Sequence, residues 1–200
     1  MTAGLMTTSL IAATKPTGPL SGPGLWYANR GTGFVLLLLL TFSVMMGVLS
    51  TARVSWRFWP RMLSQGLHRN ASMLAVAFLT VHVVTAVLDT YVDIRWWHAF
   101  VPFASSYQPI WLGLGTVSLD LLIAVTVTSV LRHRMSHRPW RVIHITAYGA
   151  WGLGLLHGLQ LGTDAGSVWG AAMNYGCIAA VFVAVLARFG LLVRPKVVTA

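Results

Sequence analysis

Four histidines of this chain lie inside runs apolar enough for a bilayer. His68 and His82 have 13 residues between them, and His144 and His157 have 12. An ionisable side chain in hydrocarbon costs several kcal/mol unless partnered, so such residues are functional candidates. At ~1.5 Å of rise per residue, the members of each pair stand ~21 and ~20 Å apart along a helix axis. If their two helices run in the same direction, His68 meets His144 at one depth and His82 meets His157 at another. Two facing imidazoles at two depths are what two six-coordinate haems require, the porphyrin supplying four nitrogens and each helix one axial ligand. The second spacing is awkward. A 14-residue step returns to within ~40° of the same helix face, whereas a 13-residue step misses by ~140°. His144 and His157 therefore call for local overwinding near Gly149, Gly152 and Gly154, or for a tilted helix crossing.

Other chemistry fits these residues less well. Zinc wants three or four clustered ligands with carboxylate or Cys among them, and none is so spaced. Intramembrane histidines also serve as hydrogen-bonding glue between helices, which leaves a haem-free scaffold or transporter subunit as the reading from outside redox chemistry. Cys177 is the single cysteine, so there is no CxxC knuckle and no CxxCH attachment. Any haem is expected to be noncovalent, hence b-type. His133 and His137 fall in a basic connection and read as solvated; His98 falls in an aromatic one and reads as interfacial.

The elements that must position the four histidines follow from composition. The 200 residues are 56% hydrophobic and 9% charged, with mean hydropathy +0.71, against about a quarter charged in soluble domains. Lys and Arg number 14 against 4 Asp and no Glu, for a net charge of +10. Such a balance suits nucleic acid or anionic lipid; the long uncharged runs favour membrane lipid and exclude nucleic acid. Uncharged stretches of 22 residues separate Arg30 from Arg53 and Arg141 from Asp164; stretches of 19 and 23 separate Arg69 from Asp89 and Asp164 from Arg188. The stretch Trp111 to Leu131 is interrupted by Asp120 alone. Each has about the ~20 residues a spanning helix needs. The expected fold is an all-α integral membrane protein, a bundle of about five transmembrane helices near 30–50, 67–88, 109–131, 140–161 and 167–189.

Eleven Lys and Arg fall in the connections after the first and third helices and in the C-terminal tail, against Lys15, Arg30 and Arg95 on the other side. The richer side is expected to be cytoplasmic, giving an N-out, C-in, multi-pass protein of the cell membrane. Residues 1–24 read as a flexible tail and, lacking a basic n-region, not as a cleaved signal peptide. Residues 25–190 form the membrane domain and 191–200 a short basic cytoplasmic tail. The 89–108 connection holds Trp96, Trp97, Phe100, Phe103 and Tyr107, a density that suits the outer interface.

Haem propionates need cationic partners. Arg69 beside His68 and Arg141 three residues before His144 are candidates, although the positive-inside rule explains both without a cofactor. Arg30 defies that rule, which favours a specific role for it at an outer propionate. Asp120, mid-way along the third span, reads equally as a proton relay or as a structural hydrogen bond. Met45 and Met46 read as packing. Gly149, Gly154 and Gly158 either admit a porphyrin or mark ordinary helix contacts. No catalytic residue is named by the sequence.

On these residues the chain resembles the ferric reductase-like transmembrane domain family, which includes the membrane parts of NADPH oxidases and ferric reductases and the haem subunit of the bacterial methionine-sulfoxide repair system. The resemblance rests on His68-Arg69 with His82, on His144 with His157 two helices later, on the 13- and 12-residue intervals, and on Pro109-Ile-Trp-Leu-Gly-Leu-Gly-Thr116 leading to Asp120. It covers about residues 26–190 and implies a dihaem conduit carrying electrons from a cytoplasmic donor to an outer acceptor. In one respect the chain departs from the oxidases. It stops about 11 residues after the last expected helix and shows no GxGxxG in a strand-turn-helix context, so no flavin or NAD(P) site is expected. The donor is expected to be a separate flavoprotein reductase or, in the alternative of a quinol-linked cytochrome b subunit, a membrane quinol.

Overall fold

The computed structural model describes residues 23–51, 61–89 and 92–193. Among these the chain forms five α-helices, α1 (Pro23–Thr51), α2 (Arg61–Leu88), α3 (Pro109–Val130), α4 (His137–Leu161) and α5 (Val168–Val193), with 3-10 turns at Trp96–Ala99 and Arg132–Arg134. Residues 1–22 of the expected N-terminal tail and 194–200 of the C-terminal tail lie outside the described residues. So do Lys15, Arg53, Arg57, Arg194 and Lys196.

Two helices begin earlier than the charge gaps suggest. α1 starts at Pro23, a residue suited to a first helical turn because its fixed φ is already helical and it has no N–H to satisfy. α2 starts at Arg61, directly after Pro60. A charge decides how deep a helix sits in lipid; it does not interrupt the backbone ladder, so both helices run past Arg30 and Arg69.

Four helical stretches are long and apolar enough to cross a bilayer: Pro23–Leu49, Met62–Leu88, Pro109–Val130 and Val168–Gly190. α4 is not among them. Its 25 residues give ~37 Å of helix, but it opens on His137, Arg138 and Arg141 and carries His144, Gln160 and four glycines. The helix that carries His144 and His157 is thus the one of the five without a span apolar enough to cross.

α1 packs along α2, and α3 along α4, while α1 also touches α5 and α4. No comparable packing joins α2 to α4, so these two flank a gap. Polar seams fix the pairs. Ser43 and Ser72 hydroxyls meet at 2.8 Å between α1 and α2. Ser118 Oγ donates to the Ala150 carbonyl at 2.8 Å between α3 and α4, and Trp151 Nε1 donates to Thr41 Oγ1 at 2.9 Å between α4 and α1. The buried positions are mostly small, including Ala71, Ala75, Ala150, Cys177 and Ala184, while Met73, Leu74, Phe182, Val183 and Phe189 are exposed. Small residues let helices approach closely, and large apolar ones suit lipid.

Candidate metal centres

The histidines meet across the gap in the two pairs that their spacing implies. The His68 and His144 ring centroids are 6.1 Å apart, and those of His82 and His157 are 6.4 Å apart. An imidazole nitrogen lies ~2.0 Å from a bound first-row metal and ~1.1 Å from its own ring centre, so two rings sharing one metal in line stand ~6 Å apart. Both pairs have that spacing, and in both the rings stand edge-on, at 70° and 88° between their planes.

Three rings are also set in one tautomer. His68 Nδ1 lies 3.0 Å from the Ser43 carbonyl, His82 Nδ1 2.9 Å from the Asn29 carbonyl, and His157 Nδ1 2.9 Å from the Trp111 carbonyl. A carbonyl only accepts, so each Nδ1 carries the proton and donates it, and each Nε2 keeps its lone pair. This is the outer hydrogen bond that metal-bound histidines make, orienting the ring and raising its basicity. His82 is latched twice, because Asn29 Nδ2 donates back to the His82 carbonyl at 2.7 Å.

Two glycines make room for these rings. A Cβ on Gly115 of α3 would stand 2.5 Å from His157 Nδ1, and one on Gly33 of α1 would stand 3.1 Å from His82 Cε1. The sequence offered only a weak signal for them, since both lie in runs singled out for other reasons. The carbonyl partners are backbone atoms and left no signal at all.

His144 differs. Its ring stacks on Trp140 of its own helix at 4.9 Å and 22°, and its buried Nδ1 has no hydrogen-bond partner, like Trp140 Nε1. The angular misfit of the 13-residue step appears here as a difference in support. His157 is held against α3, whereas His144 leaves α4 without a hydrogen bond to α3, and both still reach α2.

A cavity surrounds the His82–His157 pair. Leu36, Leu79, Leu119 and Gly158 are among the residues lining it, together with Arg30 and Asp164. Nothing stands within 4 Å of where a Gly158 Cβ would be, and Gly154 faces Ser118 Oγ at 3.3 Å; Gly149 faces open space. Arg30 forms an ion pair with Asp164 and lies over the Trp26 ring at 4.5 Å. Asp164, used in the sequence only to mark the end of a span, was missed as a site residue. His98 was read as interfacial but is buried on the wall of this cavity. Its Nδ1 accepts from the Arg95 N–H at 3.1 Å, and its carbonyl accepts from Thr116 Oγ1 at 3.0 Å; those bonds draw the connection inward. Phe103, at φ 63°, tucks its ring against Gly113 in the same segment.

Toward the His68–His144 end of the bundle Arg69 and Arg141 are exposed, as are His133 and His137. Arg132 lies 4.4 Å from the centroid of the Trp140 ring on which His144 stacks; the sequence leaves it among the loop charges. Asp120 is half-buried and does not line the cavity. Met45 packs with Val44, Val48 and Ala184.

Among the described residues no three or more His, Cys, Asp or Glu come together. Each centre offers two imidazoles. That donor set leaves room for a metal whose remaining positions come from a planar macrocycle, and at the His82–His157 pair an apolar cavity with Gly158 open toward it accompanies the two rings.

Over residues 24–164 the chain matches the family described as a domain of unknown function, DUF8596. The chain belongs to the DUF8596 family. No curated protein and no solved structure matches it. The DUF8596 match runs from the start of α1 to Asp164 and so includes all four paired histidines, Arg30, Gly33 and Gly115.

Proposed function

We propose that this chain is a dihaem b-type cytochrome of the cell membrane, a ferric reductase-like electron conduit whose five helices all cross the bilayer with the N-terminus outside and the C-terminus inside. The observation that carries the reading is the pair of imidazole pairs, each at the ring spacing of a shared metal. His68 and His144 hold the inner haem, and His82 and His157 the outer one. When bound, each haem supplies reversible one-electron iron chemistry.

The chain's own residues do the rest. The Ser43, Asn29 and Trp111 carbonyls keep three Nε2 atoms in the ligating tautomer. The leucines of the outer cavity exclude water. Arg30 offers charge at the outer end; Arg69, Arg132 and Arg141 offer it at the inner end. α4 crosses despite its polarity because its histidines turn into the bundle rather than toward lipid. Electrons enter from a separate cytoplasmic flavoprotein reductase, or from a membrane quinol, and leave to an outer acceptor.

The test is a reduced-minus-oxidised visible spectrum of detergent-purified protein with extraction of the cofactor. The expected result is acid-extractable haem b at two per chain with a bis-histidine spectrum. A colourless protein after expression with haem supply refutes the reading and leaves the histidines as helix glue.

A further inference from the structure

We infer that Asp164 is the proton-accepting group of the outer centre, so that its carboxylate would take up one proton from the outer water with each electron that reaches that centre. The inference rests on the dihaem reading and concerns a residue that the reading does not use.

Asp164 lies in the turn between α4 and α5, with 9% of its surface exposed. The turn is held rigidly, for the Asp164 carbonyl accepts from both Ser167 Oγ at 2.7 Å and the Ser167 N–H at 2.9 Å. Asp164 belongs to the lining of the cavity that contains His82 and His157. Oδ1 is paired with Arg30. Oδ2 is buried and has no hydrogen-bond partner. A buried carboxylate oxygen left bare is costly, and a group at a cavity mouth that keeps such an atom is placed to receive a proton.

The other titratable groups facing this cavity are committed elsewhere. From α1, Arg30 stays charged at every accessible pH. From α2 and α4, His82 and His157 already hold protons on Nδ1 in bonds to carbonyls. From the Trp96–Ala99 turn, His98 accepts at Nδ1 from the Arg95 N–H, so its Nε2 already bears the proton of the neutral ring. α5 contributes Asn174, which does not titrate. The other outer acids, Asp89 and Asp93, do not line the cavity. An electron arriving in a low-dielectric pocket favours a compensating proton nearby, and Asp164 Oδ2 is the free acceptor there. The step balances: one electron converts ferric to ferrous iron, and one proton converts the Asp164 carboxylate to the acid, with Arg30 unchanged.

The experiment is a potentiometric titration of the purified holoprotein at a series of pH values, the outer component being the one lost in His82→Ala. In wild type its midpoint is expected to fall by up to ~59 mV for each tenfold drop in proton activity, the one-electron, one-proton limit. The slope is expected to vanish in Asp164→Asn, to return in Asp164→Glu and to persist in His98→Gln, while the inner component keeps its own pH dependence in all three. A flat outer component in wild type, or a slope that survives in Asp164→Asn, overturns the inference. If Asp164→Asn fails to assemble, reduced-minus-oxidised infrared spectra of wild type in H2O and D2O decide. A deuterium-sensitive band of a protonated carboxyl appearing on reduction supports it, and absence of that band overturns it. A wild-type protein without haem bands sinks the dihaem reading first.

Discussion

Gly115 and Gly33 are the residues at which one methyl group tells most. In Gly115→Ala the new Cβ would stand 2.5 Å from His157 Nδ1, so the ring must leave the Trp111 carbonyl and with it the ligating orientation. Disturbing such an outer hydrogen bond typically lowers metal affinity by ~10- to 100-fold. Gly115→Ala is expected to lose the outer haem to about that extent and to keep the inner one, read as haem content per chain in titrations with added haem. Gly33→Ala, with its Cβ 3.1 Å from the carbon end of His82, should have a smaller effect of the same kind. At this scale the two histidine pairs were legible because histidine is rare in hydrocarbon and its spacing is countable. The groups that aim them were not, because a carbonyl belongs to every residue and a glycine's neighbour is known only once the helices are packed. Asp164 was hidden for a related reason. Its charge marked a boundary, and only the fold shows that the boundary closes over the outer cavity.

α4 is the element that separates what periodicity can tell from what it cannot. The uncharged runs located all five helices to within a few residues at most ends, and missed the starts of α1 and α2 by taking Arg30 and His68-Arg69 as limits. They did not foretell that α4 falls short of the apolarity of the other four, which follows from the arginines of its first turns and from its histidines and glycines. Its 13-residue step also looked incompatible with two ligands on one face; the structure answers with different surroundings for His144 and His157 rather than with a shared face. The account requires α4 to cross nonetheless. A reporter fused after Ala200 is expected to give a cytoplasmic signal, and one inserted in the 89–108 connection an external one. If both report the same side, an odd number of crossings is wrong and α4 is the helix to remove.

For the molecule as a whole, the proposed dihaem cytochrome is a conduit supplied by a separate electron donor. The purified 200-residue chain is accordingly expected to oxidise no NADPH by itself, while dithionite reduces its haems fully; NADPH turnover by the chain alone would contradict an external donor. The central claim is that His68 and His144 share one haem while His82 and His157 share another. Redox titration of the four single alanine variants tests it most directly. Wild type is expected to titrate as two components. His68→Ala and His144→Ala should each lose the same component, His82→Ala and His157→Ala should each lose the other, and the double variant His68→Ala/His144→Ala should match either single. Loss of the same component from His68→Ala and His157→Ala, or two intact components in any single variant, would contradict the account.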